Sequence, residues 1–184
     1  MLNNAIAVFA APTPPVTNSW ESIATYTVGV GGQSSIDFTS IPSGYKHLQV
    51  RGFTRDSRAG QTWSALYGTI NNSSSAIYSR HALLADGGTI GAQAGASEAG
   101  ASYGMAAGST AASGTFAPII IDFLDYGNTN KYKTVRYLNG LVSPYMYFGS
   151  YVWQSTAAIT SLQFTPLAPN FVQYSTLALY GIKG

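Results

Sequence analysis

The chain of 184 residues contains no cysteine, which excludes a disulfide scaffold and thiolate metal sites. Charged residues are scarce at 9%, against about 25% in an average soluble domain. Nine Lys and Arg face seven Asp and Glu, for a net charge of +2. The basic residues are spread from Lys46 to Lys183 without a dense cluster. A phosphate backbone demands a positive patch, so no nucleic-acid partner is expected. No uninterrupted apolar run approaches the roughly 20 residues of a membrane helix, and no membrane partner is expected either. A heptad run is also missing, which removes a coiled-coil shaft. A nearly neutral surface has little self-repulsion and tends to associate. These absences point to an assembly component.

What is present has period two. "ESIATYTV" sets Ile23 and Thr25 against Tyr26 and Val28. "SSIDFTSI" sets Ile36 and Phe38 against Asp37 and Thr39, and "KHLQVRGF" sets Leu48 and Val50 against His47, Gln49 and Arg51. Runs rich in β-branched and aromatic residues, bounded by Gly, Pro, Ser or Asn, read as strands. "GVGGQ" and "IPSGYK" supply the joints. Seven more runs follow: 62–70, 76–85, 116–126, 132–142, 145–155, 158–167 and 173–183. Only Ala76–Ala85 has a helical alternative, supported by Ile77, Tyr78 and His81. About ten short strands predict an all-β, antiparallel, jelly-roll-like β-sandwich over residues 20–184. An immunoglobulin-like sandwich, at about 100 residues, is too small.

Residues 87–114 break the pattern, with 21 Gly, Ala or Ser in 28 positions and one charge, Glu98. Such side chains bury little surface to offset ordering entropy, which predicts a flexible loop. The competing reading is a tightly packed strand or loop at a subunit contact, where small side chains let backbones approach.

The start, "MLNNAIAVFAAP", has two readings. As a signal peptide its apolar part, Ala5–Ala11, is very short and no Lys or Arg precedes it. As an arm, residues 1–19 run into "PTPPV", whose prolines favour extended backbone. An apolar arm must dock on another subunit or protein, so Leu2, Ile6, Val8 and Phe9 are the candidate anchor.

The stretch "IIIDFLDYGNTNKYKTVRYLNG" gathers two acids and three bases. Asp122 and Asp125 are three apart, which on a strand puts them on opposite faces. A shared ion site there needs a bulge; the favoured reading is a hairpin. Gly127, Asn128 and Asn130 suit its turn, and Lys131, Lys133 and Arg136 can pair with the aspartates. The two histidines, His47 and His81, lie in no G-x-S-x-G or H-E-x-x-H setting. "GVGG" lacks the Lys-Ser/Thr of a phosphate loop. Seven scattered acids offer few facing carboxylates for glycoside hydrolysis. No enzyme activity, cofactor or metal is expected.

Thirteen tyrosines stand out. Tyr145, Tyr147, Tyr151 and Trp153 form a cluster with three readings: core, subunit interface, or stacking platform for a glycan.

The segments "WESIATYTVGVGGQSSIDFTSIPSGYKHLQVRG", "IDFLDYGNTNKYKTVRYLNG", "AITSLQFTP" and "NFVQYSTLALYGIKG" together resemble small virion proteins of tailed bacteriophages, especially viruses of aquatic and cyanobacterial hosts. The resemblance runs from about Trp20 to the C-terminus and weakens in the Gly/Ala/Ser segment and the arm. It implies a non-enzymatic structural protein of the particle surface, made in the host cytoplasm and not secreted. The reading favoured is a capsid decoration (cement) protein, a homotrimer whose arm clamps the major capsid protein or another virion protein. The alternative is a short head or tail fibre that contacts host surface glycans.

Overall fold

The computed structural model describes residues 19–141 and 145–184. Leu2, Ile6, Val8 and Phe9, and with them the anchor, lie outside the described residues. The structure is an all-β sandwich of two antiparallel sheets. The described residues form twelve strands: β1 (Trp20–Thr27), β2 (Ile36–Phe38), β3 (His47–Thr54), β4 (Trp63–Ile70), β5 (Tyr78–Ala85), β6 (Ile90–Glu98), β7 (Ala101–Ala107), β8 (Ala117–Leu124), β9 (Lys133–Gly140), β10 (Met146–Trp153), β11 (Leu162–Pro166) and β12 (Thr176–Ile182). The larger sheet has eight strands in the order β1-β12-β3-β8-β9-β10-β5-β6; the smaller has four, β2-β11-β4-β7. Within the segment 76–85, Tyr78–Ala85 form strand β5, and no part of the segment is helix. Its Tyr78, Arg80, Ala82 and Leu84 alternate against Ser79, His81, Leu83 and Ala85, and the antiparallel partners on both sides fix that phase.

Alternate residues of the two inner faces fill the core. From the large sheet come Leu48, Val50, Ile119, Ile121, Phe123, Val135, Leu177 and Leu179; from the small sheet come Ile36, Phe38, Leu66, Ile70, Leu162 and Phe164. Tyr103 of β7 joins them. Its ring lies 5.6 Å from Phe164, 5.9 Å from Tyr137 and Tyr151, and 6.4 Å from Phe123, centroid to centroid. Burial raises its phenol pKa well above the ordinary value.

The Gly/Ala/Ser segment is therefore not a loop. It forms β6, the outer strand of the large sheet, and β7, the outer strand of the small one, with Ala99 and Gly100 crossing between them. Small residues let this crossing run close: a Cβ at Gly100 would stand 3.2 Å from the Gly68 carbonyl. What offsets the ordering entropy is not the alanines. It is Tyr103 and Met105, both buried, and polar ties from other strands. Asn139 of β9, itself buried, accepts from Met105 N–H (2.7 Å) and donates to the carbonyls of Met105 (2.8 Å) and Pro118 (3.0 Å). Arg55 donates to the carbonyls of Ser109, Ala111, Ala112 and Thr115 at 2.9–3.1 Å, which fixes the turn after β7.

Candidate interaction surface

The two outer faces of the sandwich differ in chemistry. The small sheet presents Asp37, Tyr67, Thr69, Gln163 and Thr165, none of them buried, and Gln163 donates to Asp37 at 2.8 Å. That is the expected solvent side of an antiparallel sheet. The large sheet presents large apolar side chains: Leu83 is 57% exposed, Phe148 56%, Phe53 56% and Ile90 82%. Ile120, Leu138 and Met146 are exposed between them. Single exposed apolar residues are ordinary, but a contiguous patch marks an interaction site.

The register makes this patch contiguous. One cross-strand row reads Arg51, Ile120, Leu138, Phe148, Leu83 and Ala92, from β3 to β6. A second row two residues along holds Phe53 beside Pro118, and Met146 beside Ala85 and Ile90. Strands lie about 4.8 Å apart, so the first row crosses the sheet over about 24 Å. Three shallow concavities punctuate it. One, of about 450 Å³, lies among His81, Leu83, Ala92, Ala94 and Phe148. Another, of about 220 Å³, lies among Pro118, Ile120, Leu138 and Met146. A third, of about 270 Å³, lies among Ile120, Asp122, Arg136, Leu138 and Phe148.

A polar row bounds the patch: Gln49, Asp122, Arg136, Ser150 and His81, paired in that order. Arg136 donates to Asp122 at 3.1 Å, and Gln49 donates to the other Asp122 oxygen at 2.5 Å. At its β3 end the Arg51 guanidinium sits 4.7 Å from the Trp20 ring centroid, a cation–π contact.

Asp122 and Asp125 do not meet. Asp122 belongs to the polar row, whereas Asp125 closes the end of β8 with a positive φ of 48°. Lys131 and Lys46 both pair with Asp125, Lys46 at 2.9 Å. Their hydrogen bonds hold its carboxyl at about 2, below the usual carboxylate value. Lys133, expected to pair across the hairpin, points inward instead and is fully buried. Its ammonium donates to the carbonyls of Asn128 (2.5 Å), Lys131 (3.1 Å) and Thr156 (3.0 Å). Burial pulls its pKa down, and the Lys131 charge adds to that. It occupies the inward phase of β9, shared with Val135, Tyr137 and Asn139. Among the described residues no group of three or more His, Asp and Glu stands close enough to hold a metal.

Of the three readings of the aromatic cluster, core is the one that fits Tyr147, Tyr151 and Trp153, which turn inward. Tyr147 is 6% exposed, Tyr151 1% and Trp153 3%, so none of the three offers a ring face to a sugar or a neighbour. Tyr145 is partly buried against the core and packs edge-on to Trp63 at 5.5 Å. Tyr151 is built into the frame: Ser102 N–H donates to its phenol oxygen at 2.6 Å. Burial pushes the Tyr137 phenol up to about 12 and Tyr151 higher still. The physical reason is phase. On β10 the inward set is Tyr147, Gly149, Tyr151 and Trp153; the outward set is Met146, Phe148, Ser150 and Val152. Both sets are largely apolar, so composition does not choose between them. The neighbouring hairpin does, because Asp122 and Arg136 fix the outward phase of β8 and β9 and their ladder carries it to Ser150. Of the two histidines, His47 accepts from the Asp125 N–H at 2.9 Å, and His81 is exposed on the patch rim.

The chain matches no protein-family model, and no curated protein shows significant similarity to it.

Proposed function

We propose that this chain is a structural protein of a virus particle and acts by association, as a decoration (cement) protein on the capsid. The observation that carries this reading is the apolar outer face of the eight-stranded sheet. Six of its seven large exposed side chains are about half accessible and Ile90 is 82% exposed, so full burial gains roughly 1 kcal/mol or a little more apiece, about 7–8 kcal/mol in all. Association costs an estimated 4–15 kcal/mol. One such contact with a polar surface is weak, and durable occupancy requires linked contacts. A repetitive particle surface supplies them. The apolar N-terminal stretch, with Leu2, Ile6, Val8 and Phe9, is the proposed second contact, against a capsid or other virion protein.

The order in which the chain visits the two sheets supports a jelly-roll ancestry for the sandwich. From β2 to β11 the chain alternates small and large sheet except at the β5–β6 hairpin and the β8–β9–β10 meander. Replacing that meander by one strand leaves two four-stranded sheets, once β1 and β12 at the edge are set aside. Jelly rolls are common in capsid architecture. The alternative reading, a fibre head binding host glycans, needs a different aromatic surface from Tyr145, Tyr147, Tyr151 and Trp153.

The test is location. Antibodies raised against the purified chain are expected to label intact particles from a lysate of cells that produce it. Removal of residues 1–16 is expected to leave a folded protein that no longer decorates particles. Label confined to the soluble fraction would reject the reading.

A further inference from the structure

We propose that the apolar face of the eight-stranded sheet is covered by the same face of a second copy of this chain, across a two-fold axis that runs along the strands between β9 and β10. The inference rests on the associative reading above and names the partner for this face, leaving the N-terminal stretch for a different one.

The registers on the face favour this operator. A two-fold along the strands keeps each cross-strand row at its own level and reverses the order of strands. The row Ile120, Leu138, Phe148, Leu83 then meets Leu83, Phe148, Leu138, Ile120 of its copy. Apolar side chains meet apolar side chains at these four positions, and at the row's ends the exposed Arg51 faces Ala92 of the copy. Farther out, Phe53 of β3 meets Ile90 of β6, because β3 and β6 lie symmetrically about the axis. On the polar row Asp122 faces His81 of the copy, and Arg136 faces Ser150. No charge meets its like.

The perpendicular alternative is a two-fold that lies across the strands. With that axis on the apolar row, the polar row falls on the Phe53–Pro118–Met146 row of the copy. Asp122 would then face Pro118, and His81 would face Ala85. That arrangement buries charge against apolar surface, which is costly. A second copy also suits this face better than a polar partner, since both surfaces lose apolar area together. Isologous two-fold contacts are the commonest closed association of identical chains. The proposed contact through this face is a dimer, in place of the homotrimer expected above.

The full chain is expected to sediment as a dimer at micromolar concentration. Phe148→Asp should make it monomeric with an unchanged β spectrum. At the rim, His81→Glu places a carboxylate opposite Asp122 and should raise the dimer dissociation constant about tenfold; His81→Lys should leave it equal or lower. If Phe148→Asp fails to fold, the opposite signs at His81 decide. The chain has no native cysteine, so Leu83→Cys and Ile120→Cys on one chain test the register directly. Those positions face each other across sheets about 10 Å apart, and a short bis-maleimide should give a dimer band that neither single variant gives. A monomer, a trimer, equal effects of the two His81 variants, or no cross-link overturns the proposal. A dimer that fails to label particles keeps it and rejects the virion reading. A particle-bound monomer or trimer does the reverse.

Discussion

Replacing Asn139 by Ala removes the polar tie between the two sheets at the point where the Gly/Ala/Ser strand passes over β9. Three hydrogen bonds are lost, of 2.7, 2.8 and 3.0 Å. A typical bond contributes about 1 kcal/mol net, and each buried group left unpaired costs about 1–3 kcal/mol. The loss expected is at least about 3 kcal/mol, a large share of a stability that is typically 5–15 kcal/mol. Gly104 sits directly opposite, at a φ of 98°, where a Cβ would stand 2.4 Å from the Asn139 Oδ1. Gly104→Ala is therefore destabilising through both the clash and the backbone, the latter about 1–3 kcal/mol. In the double variant the amide is gone and only the Cβ at position 139, 2.9 Å away, still crowds the new methyl, so the clash is relieved in part and the two losses should fall short of additive by about 1 kcal/mol. Urea unfolding of the four proteins measures this cycle, and hydrogen exchange should show lost protection centred on Ala101–Ala107. A loss below about 1 kcal/mol for Asn139→Ala, or strict additivity, would refute the claim that this side chain orders β7.

Three further outcomes follow from the polar framework. Arg55→Ala should raise exchange at residues 109–115 at least tenfold, about 1.4 kcal/mol, while β3 and β8 stay protected; unchanged exchange there would remove Arg55 as the organiser of that turn. Asp125 has a folded pKa near 2 against an ordinary 3.8, so its ionised form is favoured by folding. Its contribution is complete above the unfolded value and is lost as pH falls through the folded one. Asp125→Asn should flatten the stability profile between about pH 4 and 2, and acid titration of both proteins by circular dichroism checks this. Lys133→Met should destabilise by about 2 kcal/mol, because the carbonyls of Asn128, Lys131 and Thr156 lose their shared donor even as the cost of burying the charge disappears; thermal unfolding reads the balance, and a stabilised variant would show that desolvation outweighs the three bonds.

The amino-acid sequence determined the class of this protein and most of its strands. Alternating β-branched and aromatic runs between turn residues mark β1 to β5 and β8 to β12, because a period of two has few other structural outlets. It did not reveal β6 and β7. The alternation of β7, Ala101, Tyr103, Met105 and Ala107, rests on two large side chains among small ones, and its order comes from Tyr103, Asn139 and Arg55 acting across long sequence separations, whereas β6 is held by its pairing with β5. The interaction surface shows the same division. Tyr147, Tyr151 and Trp153 are the conspicuous residues of β10, yet the ladder through Asp122 and Arg136 turns them inward and Phe148 outward. One residue of register exchanges the faces of a strand. Where both phases of a strand are apolar, only pairing with neighbours that carry charge on one side decides which face is core and which remains free to bind.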